Sequence, residues 1–146
     1  MAIPRTHRLL PHTADAGLEA SAPTLPALFE EAALALADLT SDRAAEAIGS
    51  TEAPIELVAP DLPALAFAWL GELIGLIDAR ASAVSATDVR TVELGRDGWR
   101  LVADLRLAPF DGVRVRRRDD VKSVTYHGLV VEPAGGGWRL VAYLDV

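Results

Sequence analysis

The chain has 146 residues, of which 51% are hydrophobic and 24% are charged, a composition typical of a globular protein rather than a disordered one. This length suits one domain, so we predict a single domain over residues 1–146. The 14 basic and 21 acidic residues give a formal net charge of −7. Because binding to a phosphate backbone relies on clustered lysine and arginine, this charge argues against tight nucleic-acid binding by the protein alone.

Cysteine does not occur in the chain, and this excludes disulfides and metal sites built on thiolates. Any metal would have to be held by oxygen or histidine ligands. The N-terminal residues lack the apolar run of a signal peptide, and no stretch approaches the roughly 18 apolar residues of a membrane span. The sequence therefore predicts a cytoplasmic protein without a membrane partner.

In chain order, the first predicted elements are two short strands, near Thr6–Leu10 and Gly17–Ser21. Residues Thr24–Leu39 then place apolar side chains at helical spacing, with acidic residues among the other positions, which predicts an amphipathic helix. After a short strand near Pro54–Val58, a second helix is predicted to begin at a cap formed by Asp61. Its apolar stripe should pack on a sheet.

Beyond this helix, the hydrophobic period changes to that of a strand. Apolar and polar residues alternate from Trp99 to Leu107 and again from Trp138 to Leu144, the pattern of a strand with one buried face. A further strand is predicted near Val121–Val131, and Gly135–Gly137 predict a hairpin connector before the last strand. The order of elements predicts an α+β fold, a two-layer sandwich in which two helices pack on one face of a mainly antiparallel sheet.

Acidic residues far apart in the sequence suggest a metal site. In the last predicted strand Asp145 shares parity with Arg139 and Tyr143, so it should lie on the face away from the helices, beside the terminal carboxylate of Val146. Calcium and magnesium bind oxygen ligands, and Asp15, in the turn between the first two strands, is the candidate for a further carboxylate. The alternative is that Asp15 hydrogen-bonds within its own turn.

Lys122 is a second candidate, because on a strand it would share a face with Tyr126 and be partly enclosed. An enclosed ammonium group needs a partner. The residue could serve a function, or it could be a surface lysine, or it could form an ion pair with Asp104, Asp111 or Asp145. The sequence does not separate these alternatives.

The arginines Arg114 and Arg116–Arg118 are a local exception to the acidic composition. This run is either a solvated loop or edge-strand face, or a contact for an acidic partner or a phosphate. Walker loops, dinucleotide fingerprints and serine nucleophile elbows do not occur in the sequence. A self-sufficient catalytic centre is therefore not indicated.

Three segments of the chain resemble the archease family. They are His12–Asp15 with the sequence HTAD, Trp69–Ile74 with WLGELI, and Val121–Leu129 with VKSVTYHGL. The closing strand with Trp138 and the ending Asp145-Val146 also match that family in order and spacing. The resemblance spans the chain from about Thr6 to Val146.

This resemblance implies an accessory protein, not an enzyme, that activates a GTP-dependent RNA-splicing (tRNA) ligase by promoting its guanylylation and multiple turnover in tRNA splicing and RNA repair. It implies that Asp15, Asp145 and Val146 hold a divalent metal ion, either calcium or magnesium or manganese. It also implies that Lys122 is the functional lysine that assists the partner ligase. The sequence gives no expectation for the oligomeric state.

Two other interpretations remain open at this point. The first is a small metal-dependent hydrolase in which Asp15 and Asp145 hold a cation that activates water, although no general base is evident. The second is a binding module that modulates another RNA-processing or RNA-modifying enzyme through its arginines. The loop Phe110–Asp120 departs from the family pattern, in which a Gly-Glu pair and a histidine are usual. The partner-facing surface is therefore expected to differ in this chain.

Overall fold

The computed structural model describes residues 3–11, 15–43 and 51–146. Within these ranges the elements in chain order are β1 (Thr6–Leu10), β2 (Ala16–Ala22), α1 (Leu25–Thr40), β3 (Ser41–Arg43), β4 (Thr51–Ala59), α2 (Leu62–Ala79), β5 (Ser82–Gly95), β6 (Gly98–Pro109), β7 (Val115–Arg117), β8 (Ser123–Ala134) and β9 (Gly137–Asp145). The two predicted helices and the six predicted strands are all present, with small differences at their ends.

The strands pair in antiparallel fashion. They form a four-stranded sheet in the order β1-β2-β9-β8, a three-stranded sheet in the order β4-β6-β5, and a two-stranded β3-β7 ribbon. Both helices contact both of the larger sheets, so the core lies where helices and sheets meet. The predicted α+β class with a mainly antiparallel sheet is confirmed, and the structure adds that the strands divide into separate sheets.

Helix α1 begins where the sequence supplies a cap. The Oγ1 atom of Thr24 accepts a hydrogen bond from the N–H of Ala27 at 3.3 Å, and Pro26 occupies the first turn, where no intrahelical donor is needed. At the other end, the Oγ1 atom of Thr40 donates to the carbonyl oxygen of Leu36 at 2.8 Å. Most residues of α1 are buried, because the helix contacts β1 and β2 on one side and β5 on the other.

Helix α2 begins at Asp61, whose Oδ1 accepts the N–H of Ala64 at 2.8 Å, as predicted. The helix has 18 residues and is long and apolar enough, by length and composition alone, to cross a membrane. The expectation that no stretch approaches a membrane span was therefore wrong. However, Trp69 is fully buried and donates its Nε1–H to the carbonyl oxygen of Phe29 on α1 at 2.9 Å. This contact makes α2 part of the core.

Strand β1 is fastened to α1 by a polar cluster. The ring nitrogens of His7 lie 3.0 Å from Oε1 of Glu31 and 2.8 Å from Oδ2 of Asp38. The guanidinium of Arg5 reaches Oε2 of Glu31 at 2.9 Å. Burial disfavours the charged imidazole, but the hydrogen bonds to Glu31 and Asp38 outweigh it, so the pKa of His7 is raised.

Charged side chains cross all four strands of the larger sheet on the face opposite the core. Glu19 of β2 accepts from Arg8 of β1 at 2.9 Å and from Arg139 of β9 at 2.9 Å, and Arg139 also donates to Glu132 of β8 at 3.1 Å. Burial opposes the charge on Glu19, but the two arginines prevail and lower the pKa of its carboxyl. This row of opposite charges favours the observed strand register.

Candidate functional site

Three strand ends meet at one edge of the four-stranded sheet. Ala16 pairs with Leu144 in the register between β2 and β9, so Asp15, which precedes Ala16, lies beside Asp145, which follows Leu144. On the other side of β9, the backbone N–H of Lys122 donates to the carbonyl oxygen of Asp145 at 2.8 Å. The sheet thus brings together three residues that the sequence predicts as site residues.

Asp15 and Asp145 line the same cleft, which has a volume of about 700 Å³. Thr125, Tyr126 and His127 of β8 line it as well. The side chain of Asp145 is exposed, in line with the accessibility expected from strand parity, and Asp15 is half-buried. Val146, which follows Asp145, is 44% exposed.

An aromatic pair lies where this cleft meets the next depression along the surface. The rings of Phe67 on α2 and Tyr126 on β8 are stacked, with centroids 4.0 Å apart and planes at 6°. Phe67, together with Ser123 and Val124, lines both depressions, so the two are continuous. Tyr126 is nevertheless 58% exposed, so much of its side chain remains accessible beside the stack.

The second depression is a groove of about 510 Å³ between α2 and the start of β8, and Lys122 lies on it. Its side chain is exposed, and no carboxylate in the described part of the chain forms an ion pair with it. Asp104 pairs instead with Arg90, and the carboxylate of Asp111 accepts backbone N–H groups of its own loop. Within the described ranges, Lys122 therefore forms none of the ion pairs considered for it, with Asp104, Asp111 or Asp145.

The acidic cleft is suited to a hard cation. Two aspartates on adjacent strands supply carboxylate oxygens, the donors that calcium and magnesium prefer, and the cleft has room for coordinated water. In the ranges that the structure covers, no three His, Cys, Asp or Glu side chains lie close enough to hold an ion. Among the described residues, Asp15 and Asp145 are the two carboxylates that line the cleft, and they do not form a metal-binding cluster by themselves.

The arginine run is largely occupied by ion pairs within the chain. Arg117 contacts Asp78 at 3.1 Å and Asp120 at 3.2 Å, and it also lies over the ring of Phe110. Arg118 is 3.7 Å from Asp42, and its Nη1 donates to a backbone carbonyl of α1 at 3.1 Å. These contacts favour the interpretation of the run as an edge-strand face.

Some of the predicted motif cannot be placed, and some of the site was not foreseen. Residues 12–14 of the HTAD segment lie outside the described residues, so only Asp15 of that segment is located. Sequence reasoning missed Phe67 and Gly75, which line the groove, and it named Gly71 only as part of the WLGELI segment. A signal was available, because two glycines four residues apart in the middle of a helix lower its stability and need a reason.

The fold and the site define a small α+β protein that presents an acidic cleft and a lysine-bearing groove side by side on one surface. Comparison with known proteins identifies the family within this class. Residues 7–146 match the family model described as the archease protein family (MTH1598/TM1083). The chain belongs to the archease family.

Individual relatives agree with this assignment. The chain is 34% identical over 135 residues to the protein archease of Methanopyrus kandleri, covering 92% of this chain and 95% of that protein. It is 28% identical over 142 residues to the protein archease of Methanosarcina mazei, covering 97% of each. The solution structure of protein 1598 of Methanobacterium thermoautotrophicum superposes with a TM-score of 0.79 at 27% identity, covering 96% of this chain and 98% of that one.

Proposed function

We propose that this protein activates a GTP-dependent RNA-splicing ligase, promoting the ligase's guanylylation and its multiple turnover in tRNA splicing and RNA repair. It acts as an accessory protein in the cytoplasm and does not join RNA itself. Membership of the archease family supports this proposal. The observation that carries it is the convergence of Asp15, Asp145 and Lys122 at one edge of the four-stranded sheet.

In this proposal Asp15, Asp145 and the terminal carboxylate of Val146 hold a divalent metal ion, calcium or magnesium or manganese. Oxygen donors of this kind suit such ions, and the two aspartates share a cleft. A bound divalent ion would supply positive charge that stabilises developing negative charge on phosphate oxygens. The residues of this chain fix where that charge is presented to the ligase.

Lys122 contributes a second positive group a short distance along the surface. Because its ammonium has no ion-pair partner in the described part of the chain, it is free to approach an anion of the ligase site. Nucleotidyl transfer to the ligase builds negative charge on a triphosphate, and a positioned cation lowers the energy of such a transition state. Lys122 therefore assists the ligase's own chemistry.

The test is RNA ligation by the cognate ligase, followed under single- and multiple-turnover conditions with and without this protein. Asp15→Asn, Asp145→Asn and Lys122→Met should each abolish the stimulation while leaving the circular dichroism spectrum unchanged. Asp97→Asn, at an exposed turn between β5 and β6, serves as the matched control and should stimulate like wild type. Absence of stimulation by the wild-type protein would overturn the proposal for that ligase.

The same experiment separates the two competing functions. Hydrolysis of a phosphate ester by the protein alone, dependent on Asp15 and Asp145, would indicate a metal-dependent hydrolase. Stimulation that survives all three substitutions would indicate a binding module that works through another surface. The intrachain ion pairs of Arg117 and Arg118 make that second outcome less favourable for the arginine run.

A further inference from the structure

The groove beside Lys122 has an apolar floor that the fold leaves uncovered. Phe67, Ile74 and the two glycines of α2 form one wall, and Val121 and Val124 lie on the strand side. A volume of about 510 Å³ lies within the range of protein ligand sites, and it is enough for one or two apolar side chains. The groove is a preformed depression, so an occupant meets a surface that is already shaped.

The glycines of α2 have no role in the packing of the chain itself. Both lie in the regular helix, and a Cβ atom added at Gly75 would meet no atom within 4 Å. At Gly71 it would only touch Cγ1 of Val124 at 4.0 Å, which is ordinary contact. Neither crowding nor backbone conformation requires glycine there, whereas each glycine costs helix stability. Their effect is to deepen the groove.

Charged groups of both signs line the groove. The carboxylates of Asp78 and Asp120 share the guanidinium of Arg117, which leaves an excess of one negative charge. Lys122 lines the same groove, and its backbone N–H donates to Asp145, which lines the acidic cleft. An occupant that complements both charges carries a basic group toward Asp78 and Asp120 and an anionic centre toward Lys122.

We propose that the groove between α2 and β8 docks a short segment of the partner ligase, an apolar anchor residue flanked by a lysine or arginine. This inference rests on the proposed function and adds the surface that holds the two proteins together. The anchor fills the space above Gly71 and Gly75, and its basic neighbour pairs with Asp78 and Asp120. Docking in this direction delivers the anionic centre of the ligase to Lys122 and the acidic cleft.

The test fills the groove without touching the proposed site residues. Gly75→Leu places a side chain in the open space above the helix, and Glu72→Leu adds the same side chain at a neighbouring exposed position of α2 that does not line the groove. Binding of each variant to the purified ligase is measured by calorimetry, and stimulation of ligation is measured across a range of concentrations. We expect Gly75→Leu to weaken binding by about tenfold or more and Glu72→Leu to have little effect.

At saturating concentration Gly75→Leu should still stimulate ligation fully, because Lys122, Asp15 and Asp145 remain. Asp78→Asn combined with Asp120→Asn should also weaken binding and reduce its dependence on salt. Gly75→Ala tests whether the helix tolerates a side chain at this position. Because alanine has a higher helix propensity than glycine, this variant should have a higher unfolding temperature than wild type.

The possible outcomes are distinguishable. If wild type stimulates the ligase and Gly75→Leu binds as tightly as wild type, the docking inference fails and the proposed function stands. If Gly75→Leu binds normally but stimulates less at saturation, the groove belongs to the chemistry and the docking inference is overturned. If sedimentation shows a dimer that Gly75→Leu dissociates, the occupant is a second copy of the chain. If the wild-type protein neither binds nor stimulates the ligase, both the docking inference and the proposed function fail.

Discussion

The ring of Phe67 lies almost parallel to the ring of Tyr126, with 4.0 Å between centroids, and joins helix α2 to strand β8 where the cleft meets the groove. Aromatic pairs contribute about 0.5–1.5 kcal/mol of stabilisation beyond the area they bury. Because Tyr126 is 58% exposed, the gain in this pair should fall at the lower part of that range. The stack links strand β8, which begins directly after Lys122, to helix α2, which forms one wall of the groove.

We predict that Phe67 and Tyr126 are energetically coupled. A double-mutant cycle with Phe67→Leu and Tyr126→Leu should give a coupling of about 0.5–1 kcal/mol in the free energy of unfolding, measured by urea denaturation. Additive effects of the two substitutions would show that the rings merely lie close together. The pair Leu94→Ala and Val58→Ala, on exposed positions of the other sheet, provides a control in which little or no coupling is expected.

A second prediction concerns the metal ion. Calcium, magnesium or manganese should raise the unfolding temperature of the wild-type protein, because an ion that binds the folded state stabilises it by about 2.7 kcal/mol at a concentration of one hundred times Kd. Asp15→Asn and Asp145→Asn should lose most of this increase, and addition of EDTA should reverse it. Asp97→Asn should keep it. An equal increase in all three variants would place the binding elsewhere.

A third prediction follows from the raised pKa of His7 between Glu31 and Asp38. A pKa that is higher in the folded than in the unfolded state stabilises the protein fully below the unfolded value of about 6.5, and this contribution is lost as pH rises through the folded value. The wild type should therefore be more stable than His7→Gln by a larger margin near pH 6 than near pH 8.5. Both measurements are made at the same ionic strength of about 0.1 M, because salt screens charge interactions. Thermal denaturation at both pH values measures this difference.

A margin that stays constant with pH would mean that His7 contributes by packing and not by charge. Glu31→Gln offers a separate check, because removal of that carboxylate should lower the pKa of His7, which NMR titration of the imidazole reports directly. Arg5 also pairs with Glu31, so this variant should additionally loosen the segment before β1.

Much of the fold could be read from local signals. Asp61 caps the second helix as predicted, whereas Thr24, predicted as the start of the first helix, is its cap. The predicted glycine connector forms the turn between β8 and β9, where Gly135 and Gly136 have φ values of 59° and 87° that suit a two-residue hairpin. These features depend on residues close together in the chain.

Other elements lacked such signals. Strand β5 was not predicted as an element because bulges between Val84 and Ala86 and between Val89 and Thr91 interrupt the alternation that marks a strand. Strands β3 and β7 have three residues each, too few to show a period. The division into separate sheets depends on long-range pairing, which periodicity does not report.

In the site, too, local features could be predicted from the sequence, whereas features set by long-range packing could not. Strand parity was enough to expect an exposed Asp145, but its position beside Asp15 is set by the register between β2 and β9. Likewise, the groove exists because α2 packs against β8 at a distance that side chains far apart in sequence determine. The arginine run is a further example, because its acidic partners Asp42 and Asp78 are distant in the sequence and could not be assigned from spacing.

The pairing of β2 with β9 also has a consequence for how the chain is made. Glu19 and Arg139, which join these strands, are separated by 120 residues. At a synthesis rate of about 5–20 residues per second on the ribosome, β9 is completed on the order of ten seconds after β2. During that interval Leu18, Ala20 and Ala22, which end up buried, lack the cover of β9 and depend on the hairpin with β1 and the contact with α1. Synthesis of the intervening strands therefore sets a period in which the nascent protein is exposed to aggregation or to chaperone binding.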